Sequence, residues 1–121
     1  MPASTFISHV AVLILTYNEA PNIRRTLDAL RAFPEIVVLD SGSTDDTVAM
    51  ASQYANVRVE HRAFDQHAAQ WNHALTQCGI TRDWVLALDA DYVLPESLSE
   101  EICRIPAEPQ FAGYRATGSA A

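Results

Sequence analysis

The chain has 121 residues, 49% of them apolar, and a net charge of −7 with histidine neutral. That length suits one domain with a real core, while the acidic balance, with eight arginines and no lysine, argues against nucleic acid and against a basic membrane-surface helix. Two cysteines without close spacing, no apolar stretch near the ~18 residues of a membrane span, and an N-terminus ("MPASTFISH") unlike a secretory signal together predict a reduced, cytoplasmic setting, at most peripheral to the inner face of the membrane.

In chain order, Val10 to Leu15 ("VAVLIL") is short, apolar and rich in β-branched residues, the pattern of a strand buried on both faces of a parallel sheet. After "TYNEAP", Pro21 suits the first turn of a helix, whose apolar face is Ile23, Leu27 and Leu30 and which Pro34 stops. Ile36 to Leu39 ("IVVL") repeats the strand pattern. "DSGS" breaks it, with Gly42 as the turn residue. Ser43 with Asp46 three residues later predicts a capping box opening a helix to about Tyr54. Val57 to Val59 reads as a shorter strand. Asp65 to Cys78 has helical spacing, with Trp71, Leu75 and Cys78 on one face and Gly79 as its stop. Trp84 to Leu88 is the fourth strand. Pro95 starts a helix carrying Leu98, Ile102 and Ile105, and "AGYRATGSAA" begins a fifth strand.

Alternating strands and helices predict an α/β fold, a Rossmann-like, mostly parallel sheet flanked by helices. Such sheets bind ligands off the carboxyl ends of their strands. The polar residues there are Thr16, Tyr17, Asn18 and Glu19; Asp40, Ser41 and Ser43; and Asp89 and Asp91. Residues two apart in extended chain point the same way, roughly 6–7 Å apart, so Asp89 and Asp91 are expected to share a neighbourhood. Two carboxylates so close repel unless a cation joins them. Hard oxygen ligands suit Mg²⁺ or Mn²⁺, which complete their shells with substrate phosphates and water. The four histidines and two cysteines show no zinc spacing, and neither GxGxxG nor GxxxxGK[ST] occurs.

Each acid also has a plainer reading. Glu19 alone is a first-turn helix charge; Asp45 and Asp46 are capping residues; Asp40 is an Asx-turn residue; Tyr17 covers the sheet edge. A phospho-accepting receiver domain matches the length, but such domains use a lysine that this chain lacks, and they carry paired acids after the first strand, where this chain has "TYNEA".

"VLILTYNEAPNI", "IVVLDSGSTDDT" and "VLALDADYVLP", in that order, resemble the nucleotide-sugar-binding half of family 2 glycosyltransferases with the GT-A fold. "AFDQHAAQWNHAL" is similar to the branch that contains lipopolysaccharide-core β-glucosyltransferases. The resemblance covers about residues 9 to 105. It implies metal-dependent, inverting transfer of a sugar from a nucleotide-diphosphate donor, a UDP-sugar, to a saccharide or lipid-linked acceptor, in cell-envelope polysaccharide or lipopolysaccharide synthesis. By the same resemblance Thr16, Tyr17 and Glu19 border base and ribose, and Asp40 hydrogen-bonds the base. Asp89 lies near the ribose and the metal-bound diphosphate, Asp91 ligates the Mn²⁺ or Mg²⁺ directly, and Gln70 and Asn72 touch the donor. The family's general base normally lies downstream. Neither Glu108 nor any later residue fits that role, so residues 1–121 are expected to be a single donor-binding domain without the acceptor-binding half. A catalytically incomplete module that binds nucleotide diphosphate and metal is the alternative. A truncated sheet also predicts homodimerisation or poor solubility.

Overall fold

The structure, a computed structural model, describes residues 9–80, 84–103 and 114–116. Ile105, Glu108 and most of the expected fifth-strand segment lie outside them. Five strands are described: β1 (Val10–Thr16), β2 (Glu35–Asp40), β3 (Val57–His61), β4 (Trp84–Asp89) and β5 (Tyr114–Ala116). Four helices alternate with them: α1 (Ala20–Asp28), α2 (Thr47–Ala51), α3 (His67–Gln77) and α4 (Glu96–Cys103). The sheet order is β3-β2-β1-β4-β5 and each described neighbouring pair is parallel. The chain moves outward from β1 in one direction through β2 and β3, then returns to the other side of β1 as β4. That reversal makes the gap between the ends of β1 and β4 the switch point where such sheets open a crevice.

The period-2 alternation of strands divides the core into two layers. Val10, Val12 and Ile14 of β1, Ile36 and Val38 of β2, and Trp84, Leu86 and Leu88 of β4 pack with Ile23, Leu27 and Ile102 of the helices. Leu13, Val37 and Leu39 face the other way, against Ala74 and Cys78 of α3. Thus β1 and β2 are buried on both faces, as their continuous apolar runs predict. β4 is different: Leu86 and Leu88 are buried, whereas Val85, Ala87 and Asp89 on the α3 side are only partly covered. Among the described residues, no helix is long and apolar enough to cross a membrane.

Three local expectations are corrected. α2 begins at Thr47, not after Ser43, and its N-cap residue Asp46 makes no side-chain cap. Ser43 is pulled away by Asp40, as described below, so the capping box does not form. α2 also ends at Ala51, short of Tyr54. On α3 the buried positions are Gln70, Ala74 and Cys78, at four-residue spacing, while Leu75 lies on the open side and is exposed. Gly79 stops α3 as expected, with φ +71 just past the C-cap Cys78.

Candidate functional site at the carboxyl rim of the sheet

Strand register lines up the polar rim. Thr16 pairs with Asp40, Asp40 with His61, and Leu15 with Asp89. Thr16 and Asp40 continue the even-numbered rows that face α1 and α2. Thr16 Oγ1 donates to Asp40 Oδ1 at 2.7 Å, and both residues are buried. Asp89 continues the odd-numbered row and shares a sheet face with Leu15, one strand spacing of about 4.8 Å away.

Asp40 organises the loop after β2. Its Oδ1 also accepts from Ser43 Oγ at 2.6 Å, and its Oδ2 accepts from the amides of Gly42 and Ser43 at 2.9 and 2.8 Å. The Asx-turn reading of Asp40 therefore holds, and in this arrangement the carboxylate has its acceptor sites filled from within the chain. Burial pushes its pKa up, but these hydrogen bonds outweigh it and leave the carboxyl below its ordinary value. Gly42 allows the turn with φ +102, and no atom stands within 4 Å of where a Cβ would be. Gly42→Ala is expected to cost about 1–2 kcal/mol from backbone strain alone, read as a lower urea midpoint at unchanged slope.

A second set of bonds ties this loop to the one after β1. Asn18, at φ +54, accepts from the amides of Thr44 and Asp45 through Oδ1, at 2.7 and 3.3 Å. In return the amide of Asn18 donates to Ser43 Oγ, that of Glu19 to Thr47 Oγ1, and that of Ala20 to Asp45 Oδ2. Asp45 also accepts from the backbone amide and hydroxyl of Thr47. From the position before the N-cap Asp46 it thus takes up the first amide of α2, and its pKa is lowered chiefly by the Thr47 hydroxyl, against desolvation.

Beside this platform lies a cleft of about 590 Å³, lined by Leu15, Thr16, Tyr17, Glu19, Ser41, Ala63, Phe64 and Gln70. The expected Thr16, Tyr17, Glu19 and Gln70 are therefore brought together. Asp40 stands directly behind Thr16. Asn72 is not brought to the cleft: two residues beyond Gln70 on α3, it is rotated about 200° and is exposed. Gln70 is buried, and both ends of its amide are engaged by Arg62. Oε1 accepts from Arg62 NH1 at 2.7 Å, and Nε2 donates to the Arg62 carbonyl at 2.9 Å.

Asp89 and Asp91 reach the rim by a different route from the one the extended-chain argument assumes. The strand ends at Asp89. The next residues turn, with the Tyr92 amide donating to the Asp89 carbonyl at 3.1 Å. Ala90 is buried and its carbonyl accepts from Thr26 Oγ1 of α1 at 2.8 Å, which fixes the turn. Asp91 is exposed and Asp89 partly so. Among the described residues no group of three or more His, Cys, Asp or Glu gathers as a metal cage. An ion that takes one or two protein oxygens and leaves the rest of its shell to phosphate and water needs no such cage, and Asp89 and Asp91 are the carboxylates at this strand end.

The residues that the sequence argument passes over are Ala63 and Phe64, in the loop after β3. They belong to the same carboxyl rim, so the rule that singles out Thr16 and Asp40 applies equally to them. Their apolar character hid them in a search for polar side chains.

The family described as "Glycosyl transferase family 2" matches residues 11–110. Among curated proteins, the chain is 36% identical over 94 residues to an uncharacterized glycosyltransferase of Rickettsia felis, covering 77% of this chain and 32% of that protein. It is 30% identical over 111 residues to the lipopolysaccharide core biosynthesis glycosyltransferase LpsC of Rhizobium meliloti, covering 88% of this chain and 40% of that one. Among solved structures, S. aureus TarS 1-349 superposes with a TM-score of 0.65 at 25% identity, covering 76% of this chain and 30% of TarS. The chain thus spans about a third of the length of the relatives it matches.

Proposed function

Because the chain belongs to glycosyl transferase family 2, we propose that it holds a nucleotide-diphosphate sugar, a UDP-sugar, at the carboxyl rim for metal-dependent, inverting transfer to an acceptor hydroxyl. The acceptor is a saccharide or lipid-linked sugar of the cell envelope, a reading supported by the relative named for lipopolysaccharide core biosynthesis. One observation carries the donor assignment. The cleft lined by Thr16, Tyr17, Glu19 and Gln70 also includes Leu15, whose partner in the neighbouring strand is Asp89, so cleft and carboxylates share one rim of the sheet.

In this reading Tyr17 packs on the base, Thr16 and Glu19 border base and ribose, and Gln70 closes the α3 side. Asp40 holds Thr16 and the turn after β2 in place. A base N–H that reached Asp40 itself would first displace one of its present donors. Asp91 holds Mn²⁺ or Mg²⁺, with Asp89 beside it. When bound, the ion supplies positive charge to the leaving diphosphate. Inversion also requires a base to take the acceptor's proton, and we assign that role to no residue of this chain. The 121 residues form the donor-binding domain of the reaction. A module that binds the donor without turning it over is the second reading.

Calorimetric titration with UDP tests the shared part: binding that appears with Mn²⁺ and vanishes with chelator is expected. No binding under either condition would overturn both readings. Release of sugar from a UDP-sugar, to water or acceptor, then separates the transferase from the binding module.

A further inference from the structure

Two large aromatic side chains stand open to solvent on the wall of one cleft: Tyr17 at 56% and Phe64 at 51% exposure. They come from loops after different strands, β1 and β3, the latter beyond β2 in the sheet. Two such rings on one small cavity create a place where a flat, weakly polar molecule gains by removing both from water. Such an arrangement does not discriminate strongly by hydrogen bonding; it selects for a π-face.

The loop that carries Phe64 is tied down by side chains. Arg62 reaches forward to Asp65, with NH1 to Oδ1 at 3.0 Å, and inward to Gln70 Oε1 at 2.7 Å. Gln70 returns a hydrogen bond to the Arg62 carbonyl, and the Arg62 amide donates to the Asp40 carbonyl at 3.0 Å. Phe64 sits between the two ends of this clasp. Gln70 is buried, and its amide is occupied on both sides. Its position therefore suits holding the loop better than gripping a ligand.

We propose that Phe64, with Tyr17, makes an aromatic wall of this cleft that takes the planar heterocycle of the donor nucleotide, and that Arg62 and Gln70 are positioning residues that keep Phe64 there. This rests on the nucleotide reading of the site given above. It adds a ring-binding residue and separates two ends of the ligand. The ring end depends on Phe64, and the diphosphate end depends on the carboxylates after β4.

The experiment is calorimetry on the full chain with two probes, UDP and inorganic pyrophosphate, both with Mn²⁺. Phe64→Ala is expected to weaken UDP binding about tenfold and leave pyrophosphate binding unchanged, while Phe64→Trp retains UDP binding. Arg62→Ala is expected to weaken UDP about fivefold, and in the Phe64→Ala background to add nothing, because it acts through that ring. UDP affinity of Phe64→Ala within about twofold of the unaltered chain would overturn the aromatic wall. So would equal losses for UDP and pyrophosphate. Additive losses in the double variant would overturn the positioning role. If the unaltered chain bound neither probe, the nucleotide reading itself would fail and the aromatic wall with it, an outcome distinct from all the others.

Discussion

Asp91→Ala is expected to reduce Mn²⁺-dependent UDP binding by at least about a hundredfold while leaving the fold intact. The carboxylate is exposed, in a turn held by other atoms: the Tyr92 amide on the Asp89 carbonyl and the Thr26 hydroxyl on the Ala90 carbonyl. Substitutions at such surface positions usually change stability by no more than about 0.5 kcal/mol. The binding loss is large for an electrostatic reason. The chain carries −7 overall, and a diphosphate brings more negative charge to a rim that already holds Glu19, Asp40, Asp45, Asp46, Asp89 and Asp91. Without a dication these charges oppose one another. The change should appear in calorimetry as loss of the metal-dependent component, with an unaltered thermal midpoint. Equal affinity in the variant would remove Asp91 from the metal assignment; a large fall in the midpoint would mean that the turn depends on it after all.

Asp40→Asn is expected to act in the opposite way, through the fold first. The carboxylate accepts from Thr16, the Ser43 hydroxyl and the Gly42 and Ser43 amides. An amide keeps one acceptor oxygen and turns an NH₂ toward donors, so at least one buried group loses its partner. A destabilisation of about 2–3 kcal/mol follows, read by urea unfolding at neutral pH. Asp40 also makes the stability pH-dependent. Its folded-state pKa is below that of the unfolded chain. The stabilisation is therefore complete above the unfolded carboxylate range near about 4 and is lost as pH falls through the folded value. The Asn variant should show a flatter acid limb than the unaltered chain. A variant as stable as the original at pH 7 would show that the loop after β2 does not rely on this carboxylate.

Much of the layout is legible in the sequence because it is written locally. "VAVLIL" and "IVVL" are too apolar and too β-branched to be anything but strands covered on both sides, and β1 and β2 are buried accordingly. Alternation with helices then suffices to send Thr16, Asp40, Asp89 and Asp91 to one rim. What escapes is non-local. The partners of Asn18 and Ser43 lie about 25 residues away along the chain, beyond any capping pattern. Ser43 precedes α2 in the spacing of a capping box, yet the buried Asp40 charge competes for its hydroxyl and wins. The turn at Ala90 depends on a hydroxyl from α1, 64 residues earlier. Leu75 fits an apolar helical face by spacing, but α3 presents Gln70, Ala74 and Cys78 to the sheet instead. On that face the buried Gln70 amide is hydrogen-bonded to the partly buried Arg62.

The stitching between the first two loops closes a door. In α/β folds the amides that open the helix after the first strand commonly cradle phosphate. Here the amides of Asn18, Glu19 and Ala20 already point at Ser43, Thr47 and Asp45, and those of Asn22 and Ile23 turn to the Glu19 carbonyl. Pro21 has no N–H to offer. The start of α1 is in effect plugged by side chains, one of them a carboxylate. In the proposed reading the diphosphate is therefore held at the opposite lip of the crevice, beyond β4, where the metal sits.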